Sequence, residues 1–523
     1  MLIWFLPVFL LFLALGLPVV FGLLAAPGIL LFLDDQYTIR EFNLLYRNVY
    51  NGMDSFPLMA IPFFMLAGEL MNKGGITTRL VEFSQALMGH LRGGLAHVNI
   101  LSSMLFAGLS GSAVADTSAL GSMLIPAMEK QGYTRRFAAA VTAASSVIGP
   151  IIPPSGIMII YAYVMGESVA ALFLAGIVPG VLVGIGLMLM VKLLANRYDL
   201  PKAERIVNRG QTIKPVEGFF SFVLLRLNLG GLLCLLLTNS FGWEFGTDGT
   251  ADVELTPDWM FWATFAVSLV AVHLFLVSMR RRIDPDFRIV TKKAVVPLQT
   301  PILILGGILG GVFTPTEAAA VAVFYSLIVG FLILHSMKMS DIPEVFQRAA
   351  ITSAVVLLLV GAAIAFKTVV SLSFAPQLMA EFVLSLTENP LILLFLINLL
   401  LFLVGMFLDA GPAIIILGPI LGPIFIELGV HPIHFAIIMS VNLTVGLATP
   451  PMGLVLFVAS SVSGERVETL SKAILPFLAV EILVIFLITF IPEISMTVPY
   501  LTGFISCPPD AGFSVCINPA RGF

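Results

Sequence analysis

Residues 108–121 read Gly-Leu-Ser-Gly-Ser-Ala-Val-Ala-Asp-Thr-Ser-Ala-Leu-Gly, and residues 149–159 read Gly-Pro-Ile-Ile-Pro-Pro-Ser-Gly-Ile-Met-Ile. Much of this block returns at a constant offset of 297. Gly108 maps onto Gly405, Leu120 onto Leu417, Gly121 onto Gly418, Pro126 onto Pro423 and Gly132 onto Gly429. Gly149 maps onto Gly446, Pro153 and Pro154 onto Pro450 and Pro451, and Gly156 onto Gly453, with no gap anywhere. The matches are nearly all Gly and Pro, the residues that set backbone shape. A chain path is repeated, and the side chains on it are free to differ.

The chain that carries this repeat has 523 residues, of which 59% are hydrophobic and 11% charged. Soluble domains carry about 25% charged residues, so this chain cannot cover itself with a wetted surface. Apolar runs of membrane-spanning length recur throughout, which gives an all-α polytopic membrane protein. A net charge of −4 and the lack of a basic tract interleaved with aromatics exclude a nucleic-acid partner. Of the three Cys, Cys507 and Cys516 could pair in an oxidising compartment or stay as free thiols. The first apolar stretch has no basic leader and is too long for a cleaved signal, so it reads as a retained membrane segment.

Residues 1–196 form the first repeat. An apolar run over 2–33 breaks near Gly16 and Pro18, and 34–54 reads as an amphipathic helix in the interface. Segments 95–107 and 115–128 are each too short to cross about 30 Å of hydrocarbon at 1.5 Å per residue. Joined by the small polar run 108–113, they make a re-entrant hairpin over 95–128. Such irregular backbone is tolerated only where protein buries it or it lines a wet cavity. The apolar stretch 137–165 is interrupted by Gly-Pro-Ile-Ile-Pro-Pro-Ser-Gly and reads as a broken helix. Residues 170–194 form a further span.

Residues 197–298 interrupt the symmetry. Two spans, 219–237 and 259–279, are flanked by basic runs and joined by an acidic loop containing Glu244, Asp248, Asp252, Glu254 and Asp258. The Lys/Arg bias puts both flanks in the cytoplasm. Arg226, inside the first of these spans, is expected to snorkel to the interface. Residues 299–500 repeat the pattern: an apolar run over 301–334 broken at 311–318, an amphipathic piece over 337–348, a span over 351–372 and an amphipathic piece over 376–387. A hairpin over 391–425, a broken helix over 432–461 and a span over 474–491 follow. Residues 501–523 are a tail.

Two copies of a hairpin plus a broken helix describe a secondary transporter, with its site where the breaks meet. A break frees carbonyls on one side, which suit Na+. It frees amides on the other, at the positive end of a helix, which suit an anion.

The motifs 108–116 and 149–156, Phe-Thr-Pro-Thr-Glu-Ala-Ala-Ala at 313–320, and Gly-Leu-Ala-Thr-Pro-Pro-Met-Gly at 446–453 resemble the large (M, DctM-like) membrane subunit of TRAP transporters, the tripartite ATP-independent periplasmic importers. The resemblance covers residues 1–196 and 299–500. It implies a bacterial inner-membrane protein with two repeats, expected to be inverted, and an elevator mechanism driven by a Na+ gradient. It implies a small membrane (Q) subunit, a periplasmic substrate-binding protein and a small carboxylate substrate, such as a dicarboxylate, 2-oxo acid or sugar acid, in a lipid surround. Carried over residue by residue, one Na+ site would use Ser110 with the carbonyls of Gly149, Ile152 and Pro153. The second would use Gly405, Asp409, Gly446 and Thr449. Ser112, Ser155 and Gly156 are the candidates for the substrate side. The hairpin over 219–279 departs from the common form of the family.

Other readings compete. Asp116 and Asp409 lie in apolar surroundings, where a carboxylate is functional by default, yet either could cap the second arm of its hairpin. Glu317 reads as a helix-start residue, Lys367 as lying near a membrane face, and His431 and His434 receive no role. A different Na+-coupled anion transporter of elevator type would fit the same pattern. Gly108-Leu-Ser-Gly also matches the short motif of rhomboid-type intramembrane proteases, with Ser110 as nucleophile, but its mate in the repeat is Phe407. A channel would conduct without partner chains. An ATP-driven pump lacks its phosphate-binding loop here.

Overall fold

The computed structural model describes residues 5–33, 39–201, 212–240, 258–372, 381 and 389–505. Among them all regular structure is helical. Cys507 and Cys516, loop residues 244, 248, 252 and 254, and most of segment 376–387 lie outside the described residues.

The chain opens with α1 (Phe5–Ala14) and α2 (Val19–Leu33), parted at Gly16, where φ is +83°. The amphipathic stretch that follows is α3 (Ile39–Met53). A short 3-10 turn leads into α4 (Ala60–Lys73), then α5 (Ile76–Met88). Next come α6 (Gly94–Ser110), α7 (Ala113–Lys130), α8 (Arg135–Ser146), α9 (Gly156–Met165) and α10 (Val169–Leu194). The insert supplies α11 (Pro215–Ser240) and α12 (Asp258–Met279). The second half holds α13 (Pro285–Leu309), α14 (Pro315–Ile328), α15 (Ile342–Leu372), α16 (Pro390–Phe407), α17 (Ala410–Glu427), α18 (Pro432–Gly446), α19 (Leu454–Ser463), α20 (Val467–Phe490) and α21 (Glu493–Leu501).

Among the described residues eight helices are long and apolar enough to cross a membrane, or nine if α3 and α4, bent by 53°, count as one span. The helices that carry the repeated motifs are mostly the short ones. α6, α9, α16, α18 and α19 each fall below spanning length, because Gly and Pro cut them. Their ends are therefore set inside the protein, where freed backbone groups must find partners.

Two boundaries differ from the sequence expectation. The apolar run expected from residue 301 begins at Pro285, since α13 continues through Pro297 and Pro301. Proline in a membrane helix is tolerated when neighbours re-satisfy the backbone. The carbonyls that lose their donor are those of Lys293 and Pro297; on the carbonyls beside them the Ser221 hydroxyl donates to Lys292 (2.6 Å) and Tyr325 to Val296 (2.7 Å), which ties α13 to α11 and α14. The amphipathic piece at 337–348 and the span at 351–372 are joined, because Ala349-Ala350 offers nothing to break α15. Further along α15, Thr368 accepts the Asn48 amide of α3 (2.7 Å).

The two hairpins are α6–α7 and α16–α17, and the two broken helices are α8–α9 and α18–α19. The first half of each broken helix packs on its own hairpin, α8 on α6 and α7, α18 on α16 and α17. The second halves exchange: α9 lies against α17, and α19 lies against α7. This exchange ties the two hairpins and the two broken helices into one hydrophobic core.

Candidate functional site

At the first tip, α6 ends on Ser110 and Gly111 turns the chain with φ +60°, a conformation that favours glycine. A Cβ on Gly111 would lie 2.5 Å from the Pro154 carbonyl oxygen and 3.4 Å from Ser155 Cα and the Gly156 nitrogen. The tip therefore sits directly on the break of α8–α9. Ser112 caps α7, its hydroxyl accepting the Ala115 amide (3.4 Å). Ser155 caps α9, accepting the Met158 amide (3.4 Å) and donating to the Pro150 carbonyl (2.5 Å). Two capped helix N-termini, each carrying positive partial charge, thus begin close together. Gly156, at the start of α9, has open space where a side chain would be.

Asp116 is fully buried one turn into α7. It is not the cap, because Ser112 is. The Ser110 hydroxyl donates to its Oδ1. Its Oδ2 has no hydrogen-bond partner and presses on Gly149, where any Cβ would collide with it. The Pro153 carbonyl oxygen faces Gly108, 3.6 Å from the position of a Cβ there. Ser110, Gly149 and Pro153 therefore gather around the tip with Asp116. The Ile152 side chain turns away and packs on Gly180 of α10.

The second tip repeats the closeness and changes the chemistry. A Cβ on Gly446 would lie 2.5 Å from the Gly405 carbonyl carbon, so hairpin and break touch backbone to backbone. The Thr449 amide donates to the Gly446 carbonyl (2.9 Å), and its buried hydroxyl donates to the Val445 carbonyl (2.9 Å). Asp409 caps α17, taking the Ala410 amide on Oδ1 (2.8 Å), and is exposed. Both breaks contain a cis Pro–Pro bond, at Pro153–Pro154 and Pro450–Pro451.

Polar ladders behind the tips escaped the sequence reading. In the first hairpin Asn99 donates to Thr142 (2.6 Å) and Ser103 to Ser145 (2.9 Å). In the second, Asn442 donates to Asn398 (2.6 Å), whose oxygen also takes the Thr489 hydroxyl (3.0 Å). The signal for them was buried amides within apolar helices, where a polar side chain needs a partner.

The family model for the tripartite ATP-independent periplasmic transporter, DctM component, matches residues 6–494. The chain belongs to the DctM family. DctM relatives include the sialic acid TRAP transporter large permease protein SiaM of Vibrio cholerae, 34% identical over 93% of this chain and 95% of that protein. The C4-dicarboxylate TRAP transporter large permease protein DctM of Pseudomonas aeruginosa is 33% identical over 92% and 94%. Among solved structures, the YdaH transporter of Alcanivorax borkumensis aligns over 90% of each chain at a TM-score of 0.50 and 18% identity, which is a likeness of fold. This DctM chain is thus a multi-pass inner-membrane protein of a transporter permease family.

Other candidate residues have structural partners. Thr314 and Glu317 form a reciprocal capping box at the start of α14. Lys367 donates to the Val164 carbonyl at the end of α9 (2.5 Å). His431 caps α18, and His434 is buried between Ser495 (2.8 Å) and the Thr489 carbonyl (3.3 Å). Among the described residues the Ser110 hydroxyl is bonded to Asp116 and the Ser112 amide. A protease reading would need a histidine there.

Proposed function

We propose that this chain is the membrane pathway of a Na+-coupled importer for a small organic acid anion. A periplasmic binding protein delivers the anion, and a small membrane subunit completes the complex. The observation that carries the proposal is the meeting of each hairpin tip with its own break. At the first tip Ser110, Asp116 and the carbonyls of Gly149 and Pro153 would hold one Na+. At the second, the carbonyls of Gly405 and Gly446 with Thr449 would hold another. Asp116 adds what a cation site inside a membrane needs, a carboxylate oxygen with no protein partner. Oxygen donors of this kind suit a hard cation.

The substrate side would be formed by Ser112, Ser155 and Gly156, where α7 and α9 begin. Paired helix N-termini with open space at Gly156 fit a carboxylate. The sialic acid and C4-dicarboxylate named for the two relatives are both carboxylates. Binding would let the block built from both hairpins and both broken helices move as one body against the remaining spans, an elevator stroke with the two repeats inverted across the membrane plane. Each net charge entering with the ion contributes about 2.3 kcal/mol per 100 mV of membrane potential.

The test is uptake into proteoliposomes holding this chain and its small subunit, with the binding protein outside. Uptake is expected only when Na+ and both partner chains are present. Equal uptake after replacing Na+ with K+ would remove the mechanism.

A further inference from the structure

We propose that the basic end of the inserted hairpin is a binding site for an anionic phospholipid, whose phosphate is held by Arg226, Arg280, Arg288 and Lys292.

These four cations come from α11, α12 and α13. Arg288 and Lys292 stand one turn apart on the same face of α13. The Ser221 hydroxyl bonds the Lys292 carbonyl (2.6 Å), which fixes α11 against α13 at this level. Arg226 lies further along α11, inside the apolar span. Its Nε donates to His273 Nδ1 on α12 (3.0 Å) and its Nη1 to the Phe222 carbonyl (2.8 Å), with the guanidinium 3.4 Å over the Phe222 ring. Its position is therefore fixed by two helices.

Arg288, Arg280 and Arg226 are close enough to Lys292 to repel its charge. Among the described residues no acid lies within ion-pair distance of any of the four. The adjacent Lys293 shows what compensation looks like, since it faces Glu217 and Glu82 as well as Arg79. One side of α13 is thus neutralised from within the protein, and on the other Arg288 and Lys292 form no ion pair, although Asp284 caps the helix one turn before Arg288. An anion from outside is the missing partner.

The surroundings select a lipid as that anion. The outer faces of α11 and α12 are apolar, with only 17% and 11% of their spanning windows buried, and Phe219, Leu227, Leu274 and Phe275 lie exposed beside the cations. Acyl chains would cover those side chains while the phosphate meets the basic end, which the charge bias places in the cytoplasm. The orientation bias alone accounts for arginines in a loop after α12. It does not account for Arg226 within the span.

The full-length chain, purified in a neutral detergent, is titrated with cardiolipin, phosphatidylglycerol, phosphatidylcholine and inorganic phosphate. Binding is read by native mass spectrometry and by the shift in melting temperature. The two anionic lipids are expected to bind and stabilise, and phosphatidylcholine and inorganic phosphate to do neither. Arg226→Gln and Lys292→Gln should each weaken anionic-lipid binding about fivefold. Arg348→Gln, whose parent residue is exposed and paired with Glu344, should leave it unchanged. Equal binding of phosphatidylcholine would overturn the proposal. So would variants of wild-type elution profile that bind anionic lipid as the parent does, or a phosphate shift that lipid does not exceed.

Discussion

Gly121 of the first hairpin lies against Val462 of the second broken helix, with a Cβ at Gly121 only 3.4 Å from Val462 Cγ1. The mates of these residues at the offset of 297 are Gly418 and Met165, and they meet in the same way, 3.5 Å from the Gly418 Cβ position to Met165 Sδ. A contact between residue i of one copy and residue j of the other, returned with the copies exchanged, is the mark of a two-fold relation. Each hairpin is therefore flanked by a helix from the other half of the chain, while its tip rests on the break of its own half.

This exchange predicts a pair of cross-links. In a chain whose own cysteines are replaced by serine, Gly121→Cys with Val462→Cys should form a disulfide under mild oxidation. Gly418→Cys with Met165→Cys should do the same, since at both sites the Cβ position of the glycine touches the side chain opposite. Mobility shifts after proteolysis between the halves would report it. Cross-linking at one pair only would mean that the two halves are not related in this way.

The two glycines at the second tip set a steric prediction. Gly446→Ala would place a Cβ 2.5 Å from Gly405 backbone, and no side chain can rotate away to relieve it. Overpacking of this kind costs about 1–3 kcal/mol. A lowered melting temperature in detergent and loss of uptake are expected. Gly156→Ala meets nothing within 4 Å, so its melting temperature should stay at the parent value. Any loss of uptake it causes would then report on substrate space and not on folding.

Asp116 and Asp409 both lie in apolar surroundings near a hairpin tip, and the structure separates them. Asp116→Asn keeps the volume and the bond to Ser110 while removing the charge beside Gly149. If it is a Na+ ligand, the Na+ concentration for half-maximal uptake should rise by about 10–100-fold, the range seen when metal sites lose a tuning partner. Asp409→Asn should change little, because asparagine caps a helix as well as aspartate does. Asp409→Ala should cost about 1 kcal/mol of stability through the lost cap. Matching Na+ titration curves for Asp116→Asn and the parent chain would take Asp116 out of the site.

How much of this was written in the sequence depends on which residues carried it. Gly108, Pro153, Pro154 and their mates, with Gly111 at the first tip, mark where helices stop, since their backbone limits are local and need no neighbour to act. The helical membrane fold follows from those stops and the apolar runs between them. The start of α13 at Pro285 was hidden, because Pro297 and Pro301 look like breakers, while α11 and α14, which pack along α13 and bond its carbonyls through Ser221 and Tyr325, come from elsewhere in the chain. The closeness of Asp116 to Gly149 was hidden for a similar reason. Thirty-three positions separate them, and only packing brings a carboxylate onto a glycine. The exchange of α9 and α19 between hairpins likewise has no local signal.

The ladder behind the second tip gives a last prediction. The Asn398 oxygen takes hydrogen bonds from both Asn442 (2.6 Å) and Thr489 (3.0 Å), and its amide donates to the Leu394 carbonyl (2.6 Å). Asn398 is thus the single acceptor that ties α16 to both α18 and α20. Asn398→Leu is close in volume but leaves two buried donors competing for their own helix carbonyls, to which Asn442 (2.8 Å) and Thr489 (2.9 Å) already bond. Those remaining bonds soften the penalty, so a loss near the lower end of about 1–3 kcal/mol is expected. Asn442→Leu alone should cost less, since Thr489 keeps its acceptor. Adding Asn442→Leu to Asn398→Leu should cost less than the sum of the two, because the shared bond is lost only once. Melting temperatures of the four chains in one detergent check the cycle, and strict additivity would show that the two amides do not act together.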